Sequence, residues 1–147
     1  MKRHDALAQL SRDHHQALFQ AMRLMRATEN DAAEVLENFL DFWTDKGQLH
    51  FRAEEEVLLP AYSAHGDASA EPVVRVLVDH VEIRRAAHEL GETRGPARLE
   101  PLHSLGRRLE AHVRHEERVL FPLIEATLPD EELSRVARGV DEVERAA

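Results

Sequence analysis

Histidine and glutamate recur one helical turn apart at two places in the sequence. The stretch HFRAEEEVLLP places His50 four residues before Glu54, and HVRHEERVLFP places His112 four residues before Glu116. On an α-helix, side chains four residues apart project from the same face. Imidazole nitrogens and carboxylate oxygens brought together in this way suit iron, manganese or zinc. One such pair alone is commonly a surface ion pair, so the case for a metal site depends on the repeat.

The two stretches belong to a longer internal repeat. They align without gaps and are identical at seven of eleven positions. Upstream of each, LSRDHHQAL and VLVDHVEIR both contain an Asp-His dipeptide. An apolar residue lies four positions before each histidine, so His14 and His80 lie on apolar helical faces. The chain therefore consists of two copies of one helical hairpin, each with a lone histidine and a His-x-x-x-Glu pair.

In a bundle of these hairpins the repeated side chains would converge inside. The candidate metal ligands are His14, His50, Glu54, His80, His112 and Glu116. Four histidines and two carboxylates suggest two metal ions, each held by two histidines, with the glutamates bridging them. A single ion would leave ligands unused and charges buried at a cost of several kcal/mol each. The competing interpretation is purely structural, because a lone histidine on an apolar face is usually a hydrogen-bonded core residue.

The elements that position these residues are helices, because apolar residues recur at spacings of three and four. The predicted fold is all-α, a four-helix up-down-up-down bundle over about 4–127 with a short C-terminal helix over about 129–145. The whole chain, 1–147, is expected to form a single domain. The four long helices are predicted at about 4–28, 31–64, 71–93 and 97–127.

Composition excludes several classes of function. The chain has 147 residues, a formal net charge of -9 and no cysteine. The negative charge argues against nucleic-acid and anionic membrane partners, and no apolar run approaches the ~18 residues of a membrane span. Without cysteine there are no disulfides, thiolate nucleophiles or iron–sulfur clusters. The N-terminus has no apolar signal region, so we expect a cytoplasmic location.

Residues beside the candidate ligands receive secondary roles. Glu55 and Glu117 lie about 100° further around their helices, so they are expected to be solvated or to support the ligands. Gly47, three residues before His50, either leaves room for a small molecule or allows close packing. Pro60 and Pro122 are expected to kink or end their helices. Four other histidines are expected at the surface: His15, His65, His88 and His103. His115 lies beside the helix face that carries His112 and Glu116.

The repeated motifs resemble the hemerythrin-like, or HHE cation-binding, domain. The resemblance extends over about residues 7–127 through LSRDHH, HFRAEEEVLLP, VDHVEIR and HVRHEERVLFP. It implies a four-helix bundle around a non-haem, oxo- or hydroxo-bridged di-iron centre, with the six candidate residues as its ligands. Zinc or manganese are alternatives, since imidazole and carboxylate ligands do not by themselves select iron.

Two departures separate the chain from the oxygen-carrying hemerythrins. Those proteins have a further histidine one turn after the third-helix histidine, where this chain has Arg84. Their last ligand is an aspartate five residues after its histidine, whereas Glu116 follows His112 by four. The resemblance therefore implies a bacterial HHE protein linked to iron, O₂, peroxide or nitric oxide, and not a classical O₂ carrier. Arg84 either hydrogen-bonds a bound peroxide or points away from the centre.

Several functions share this site. The first hypothesis is a di-iron protein that binds, senses or reacts with O₂, peroxide or NO; a sensor would need a protein partner. The second is a peroxide-decomposing or oxidase-like di-iron enzyme. The third is a metal-free or zinc-bound helical interaction module.

Overall fold

Apolar residues at helical spacing form five helices in the computed structural model, which describes residues 3–146. Helix α1 is Ala8–Met25, α2 covers 32–63, α3 is Glu71–Glu92, α4 covers 99–127 and α5 is Asp130–Arg145. The described residues contain no strand, so the predicted all-α class is confirmed. The first helix starts later than predicted, because Asp5–Leu7 forms a 3₁₀ turn.

Close helix contacts hold the bundle together. Helix α1 packs against α4 and α2, α3 packs against the same two helices, and α5 lies against α2 and the turn before α1. The α1–α4 approach depends on Gly106, where an added Cβ would lie 2.8 Å from the Ala21 carbonyl oxygen and 2.9 Å from Leu24 Cβ. Any side chain at Gly106 would therefore separate the two helices.

Helices α2 and α4 contain π-helical segments, which the sequence patterns do not predict. In α2 they are Trp43–Gly47 and Glu54–Leu58, and in α4 the segment is Glu116–Leu120. Glu54 and Glu116, the two glutamates of the repeated motif, each begin one of these segments. Single π turns of this kind are frequent at functional sites because they re-aim side chains within a continuous helix.

Of the two outcomes expected for Pro60 and Pro122, a kink or a helix end, the structure contradicts the second. Helix α2 continues to Ser63 and α4 continues to Thr127. A proline inside a helix lacks an N–H donor and clashes with the carbonyl four residues earlier. Each proline here lies two residues after a π segment, where the hydrogen-bond register has already shifted, and the helix continues.

Buried apolar side chains form two clusters with a polar layer between them. On α1, His14 lies between Leu10, which belongs to one cluster, and Ala17, which belongs to the other. His80 occupies the same intermediate position on α3. The polar layer therefore crosses the middle of the bundle. None of the helices in the described part of the chain is both long and apolar enough to cross a membrane.

Candidate metal centre

The six candidate ligands come together in the polar layer. They come from the four bundle helices: His14 from α1, His50 and Glu54 from α2, His80 from α3, and His112 and Glu116 from α4. All six are buried, and both glutamates have an exposed fraction of 0%. An ionised carboxylate is strongly disfavoured in such a place unless cations or donors surround it.

The ligand atoms form two groups that share both glutamates. In the first group, atoms of His14, His50, Glu54 and Glu116 all lie within 4.8 Å of one another. In the second group, atoms of Glu54, His80, His112 and Glu116 do the same. The arrangement is therefore two adjacent four-residue sites joined by two carboxylates.

Most of the inward-facing atoms have no hydrogen-bond partner among the described residues. They are His50 Nε2, His80 Nε2, His112 Nε2, both Glu54 carboxylate oxygens and Glu116 Oε2. The atoms are close together, since His80 Nε2 lies 3.0 Å from Glu54 Oε1, yet they are not aligned for hydrogen bonding. Each unsatisfied buried group costs about 1–3 kcal/mol. Lone pairs directed at common points fit bound cations, so the chemistry of these residues fits a metal centre.

Four further carboxylates hold the outer nitrogens of the four histidines. The pairs, by Nδ1-to-oxygen distance, are His14–Glu117 at 2.7 Å, His80–Glu55 at 2.6 Å, His50–Asp13 at 2.9 Å and His112–Asp79 at 3.0 Å. In the neutral form of each histidine, an Nδ1–H that donates to a carboxylate leaves the Nε2 lone pair facing the centre. Metal-binding histidines commonly have such partners.

Two of these four carboxylates, Asp13 and Asp79, were not assigned a role from the sequence. Each aspartate precedes a candidate ligand histidine on its own helix but bonds the histidine of the next helix, His50 or His112. The repeated Asp-His dipeptide contained this signal. Glu55 and Glu117 support the histidines, which was one of the two roles expected for them.

The surroundings of the two aspartates break the twofold symmetry. Glu144 of α5 lies beside Asp13, and burial together with the Asp13 carboxylate raises the pKa of Glu144 to about 8. Asp79 instead has the Arg108 guanidinium at 3.6 Å. The aspartate of one half therefore lies beside a carboxylic acid, and the aspartate of the other half lies beside a cation.

The carboxylates of the centre raise the pKa values of His14 and His80 when no ion is bound. Burial lowers the pKa of His14, but hydrogen bonds to Glu116 and Glu117 outweigh it and raise the pKa to about 8. The same opposition of burial and carboxylate contacts raises the pKa of His80 to about 9. Burial raises the pKa of Glu116, but His112 and His14 hold it well below its ordinary value. A cation that enters must therefore displace protons from the imidazoles.

Arg84 lies on the outer side of the centre. Its Nη2 is 3.1 Å from each Glu55 oxygen, and its guanidinium lies over Phe51 with 5.6 Å to the ring centroid. Phe51 in turn stacks on His80 at 3.7 Å. Of the two orientations considered for Arg84, the structure has the one that points away from the centre.

The other histidines have no place in the centre. His15, His65 and His88 are exposed as expected. His103 is half-buried at the surface, and its Nε2 donates to the Ala27 carbonyl at 2.8 Å. His115 is buried, and its Nε2 donates to the Pro72 carbonyl at 3.0 Å.

Comparison with known families agrees with this geometry. The sequence model of the hemerythrin HHE cation-binding domain matches residues 6–124. The chain belongs to this family. The matched part of this HHE domain contains all six candidate ligands and leaves α5 outside. The family is described as cation-binding, and the His/Glu groups are buried. Together these two findings support a metal site. No curated protein and no solved structure gives a significant match.

Proposed function

We propose that this HHE domain holds two iron ions and binds, senses or reacts with O₂, peroxide or NO, without being an O₂ carrier. His14 and His50 would hold one ion and His80 and His112 the other. The observation that supports this most directly is the pair of four-residue groups sharing both glutamates. The family resemblance favours iron over zinc or manganese, which the ligand types alone also suit.

Two iron ions would supply electrons and Lewis acidity to a small molecule. The protein orients the ligands and limits their contact with water. Asp13 and Asp79 each hold a histidine with its Nε2 inward, and Phe121 stacks on His14 at 5.5 Å. Apolar clusters cover the polar layer on both sides along the bundle.

The position of Arg84 supports a role other than O₂ carriage. The carriers have a fifth histidine at this place, whereas Arg84 is engaged with Glu55. Each half of the centre then has two candidate histidine ligands. An asymmetric five-histidine centre of the carrier type is not available to these residues.

The reactions of the iron-loaded, reduced protein test this proposal. Addition of O₂, hydrogen peroxide or NO should change its near-ultraviolet and visible absorption. We expect His50→Ala to remove the response and His65→Ala, an exposed histidine, to retain it. No response to any of the three molecules would contradict the proposal. Catalytic consumption of peroxide that His50→Ala abolishes would identify the peroxide-decomposing enzyme.

A further inference from the structure

A cavity of about 200 Å³ lies beside the His14–His50 half of the centre. Its lining includes the buried His14, His50 and His112 and the exposed Arg12 and Lys46, so it extends from the metal centre to the surface. One water needs only about 10–15 Å³ of such volume. A diatomic molecule or a peroxide would leave most of this cavity empty.

Aromatic side chains form the apolar wall of the cavity. Trp43 stacks on Phe39 at 6.5 Å and meets the edge of Phe51 at 5.2 Å. Gly47 allows this packing, since an added Cβ would lie 2.7 Å from Trp43 Cε3. Gly47 thus allows close packing, and it also lines the cavity, so both roles expected for it agree with the structure. The wall suits the body of an apolar molecule.

Cations stand at the exposed end of the cavity. Among residues 3–146, no carboxylate lies within ion-pair distance of Arg12 or Lys46, and Arg12 bonds only the Gln9 amide oxygen at 2.9 Å. The one carboxylate in the lining, Asp13, is bonded to His50. In a chain with a net charge of -9, the mouth of this cavity is therefore suited to an anion.

We propose that the cavity binds a small apolar molecule bearing a carboxylate, of about the size of octanoate. Its carboxylate would lie between Arg12 and Lys46, and its apolar chain would lie along Phe39, Trp43 and Phe51. The inner end of the molecule would face His14 and His50. This binding requires no metal, so it can be tested independently of the proposed di-iron function.

Fluorescence of the metal-free protein tests the proposal, because Trp43 is the only tryptophan. Octanoate should change the emission saturably, octanol should bind more weakly, and octylamine should not bind. Arg12→Ala and Lys46→Ala should each weaken octanoate binding about fivefold or less, because an exposed ion pair contributes little free energy. Arg26→Ala, an exposed arginine outside the cavity lining, should have no effect.

Filling the cavity provides a second, independent variant. Ala17→Leu adds volume inside the cavity and should abolish the response to octanoate and octanol alike, with the helical circular dichroism unchanged. No saturable response at millimolar octanoate would overturn the proposal. Equal affinity for octanoate and octylamine, or an equal loss in Arg26→Ala, would overturn the assigned role of the cations.

A separate observation concerns the outer face of α3. Val74, Leu77, Val78 and Val81 are exposed to 44%, 42%, 52% and 64%, and their spacing places them on one stripe of the helix. The opposite face of α3 is already buried in the bundle. Contiguous exposed aliphatic residues mark an interaction surface.

The ends of this stripe have opposite charges. Exposed Glu71 lies one turn before Val74, and exposed Arg85 lies one turn after Val81. Arg85 also contacts Glu82 and Glu89 of its own helix, at 2.7 and 3.5 Å, as solvent-exposed pairs that a partner's carboxylate could join. In an antiparallel pair of α3 helices related by a twofold axis, Glu71 of each copy would lie near Arg85 of the other. We infer that a second copy of this chain packs on the stripe.

The absence of cysteine from the sequence makes this inference simple to test. Val78 lies near the middle of the stripe, so Val78→Cys should form a disulfide-linked dimer on mild oxidation. Phe19→Cys replaces a large exposed residue (53%) elsewhere and should remain mostly monomeric. Sedimentation should show that Val78→Lys dissociates a dimer that Phe19→Lys leaves intact. A wild-type monomer at all concentrations up to millimolar would overturn the inference.

Discussion

At the scale of single residues, the centre depends on which nitrogen of each histidine faces inward. A carboxylate on every Nδ1 fixes that choice before any ion binds. The sequence predicted the six inward-facing residues from one repeated motif. It did not predict Asp13 and Asp79, because their partners lie on neighbouring helices and only the packing reveals them.

Removing one of these carboxylates should weaken metal binding. In Asp79→Asn the side chain no longer holds the His112 Nδ1–H with a charged acceptor, so we expect metal affinity to fall about 10–100-fold. Competition with a coloured chelator measures the affinity. Asp67→Asn changes an exposed loop residue and should bind as the wild type does. Unchanged affinity in Asp79→Asn would show that the aspartate does not support the site.

At the scale of helices, the sequence predicted where the elements lie but not their internal irregularities. Periodicity located all five helices to within a few residues. The π segments that begin at Glu54 and Glu116 have no such signal, because a one-residue shift of hydrogen bonds leaves the apolar spacing almost unchanged. They also explain why Pro60 and Pro122 do not end their helices.

The closest helix contact makes a prediction at this scale. Gly106→Ala should destabilise the fold by about 1–3 kcal/mol, because the new Cβ meets the Ala21 backbone across the α1–α4 contact. Gly91→Ala places its Cβ no closer than 4.0 Å to Leu40 and should stabilise α3 by about 0.5–1 kcal/mol. Chemical denaturation measures both. A Gly106→Ala protein as stable as Gly91→Ala would contradict this account of the packing.

At the scale of the whole molecule, two similar hairpins enclose a centre whose halves differ in their outer contacts. The internal repeat predicted the similarity. It did not predict the differences, because Glu144 comes from α5, which has no counterpart in the repeat, and Arg84 binds a residue of another helix. The proposed cavity ligand would also contact the halves unequally, because the cavity lining contains His14, His50 and His112 but not His80.

The raised pKa values of the buried histidines predict how pH affects the metal-free protein. His14 and His80 have pKa values of about 8 and about 9, above the ordinary 6.5. From pH 6.5 up to these raised values, the folded form therefore binds more protons than the unfolded form. Their stabilising contribution is complete below pH 6.5 and is lost as pH rises through 8 to 9. For His14 the loss is about 2 kcal/mol.

Thermal unfolding in the presence of a chelator measures this effect. The melting temperature should fall between pH 6.5 and 9.5, and the raised pKa of Glu144 acts in the same direction. Metal affinity should rise over the same interval, because ligand imidazoles must lose their protons. A metal-free protein that is more stable at pH 9.5 than at pH 6.5 would contradict the assigned charges.

Metal content per chain tests the central claim most directly. Protein purified in air from cells grown with ample iron should contain two irons per chain and show near-ultraviolet iron absorption. Glu54→Ala should lose both ions, because Glu54 belongs to both groups, whereas His65→Ala should keep both. One zinc or manganese per chain, or no metal in a protein with an intact helical fold, would contradict the di-iron centre.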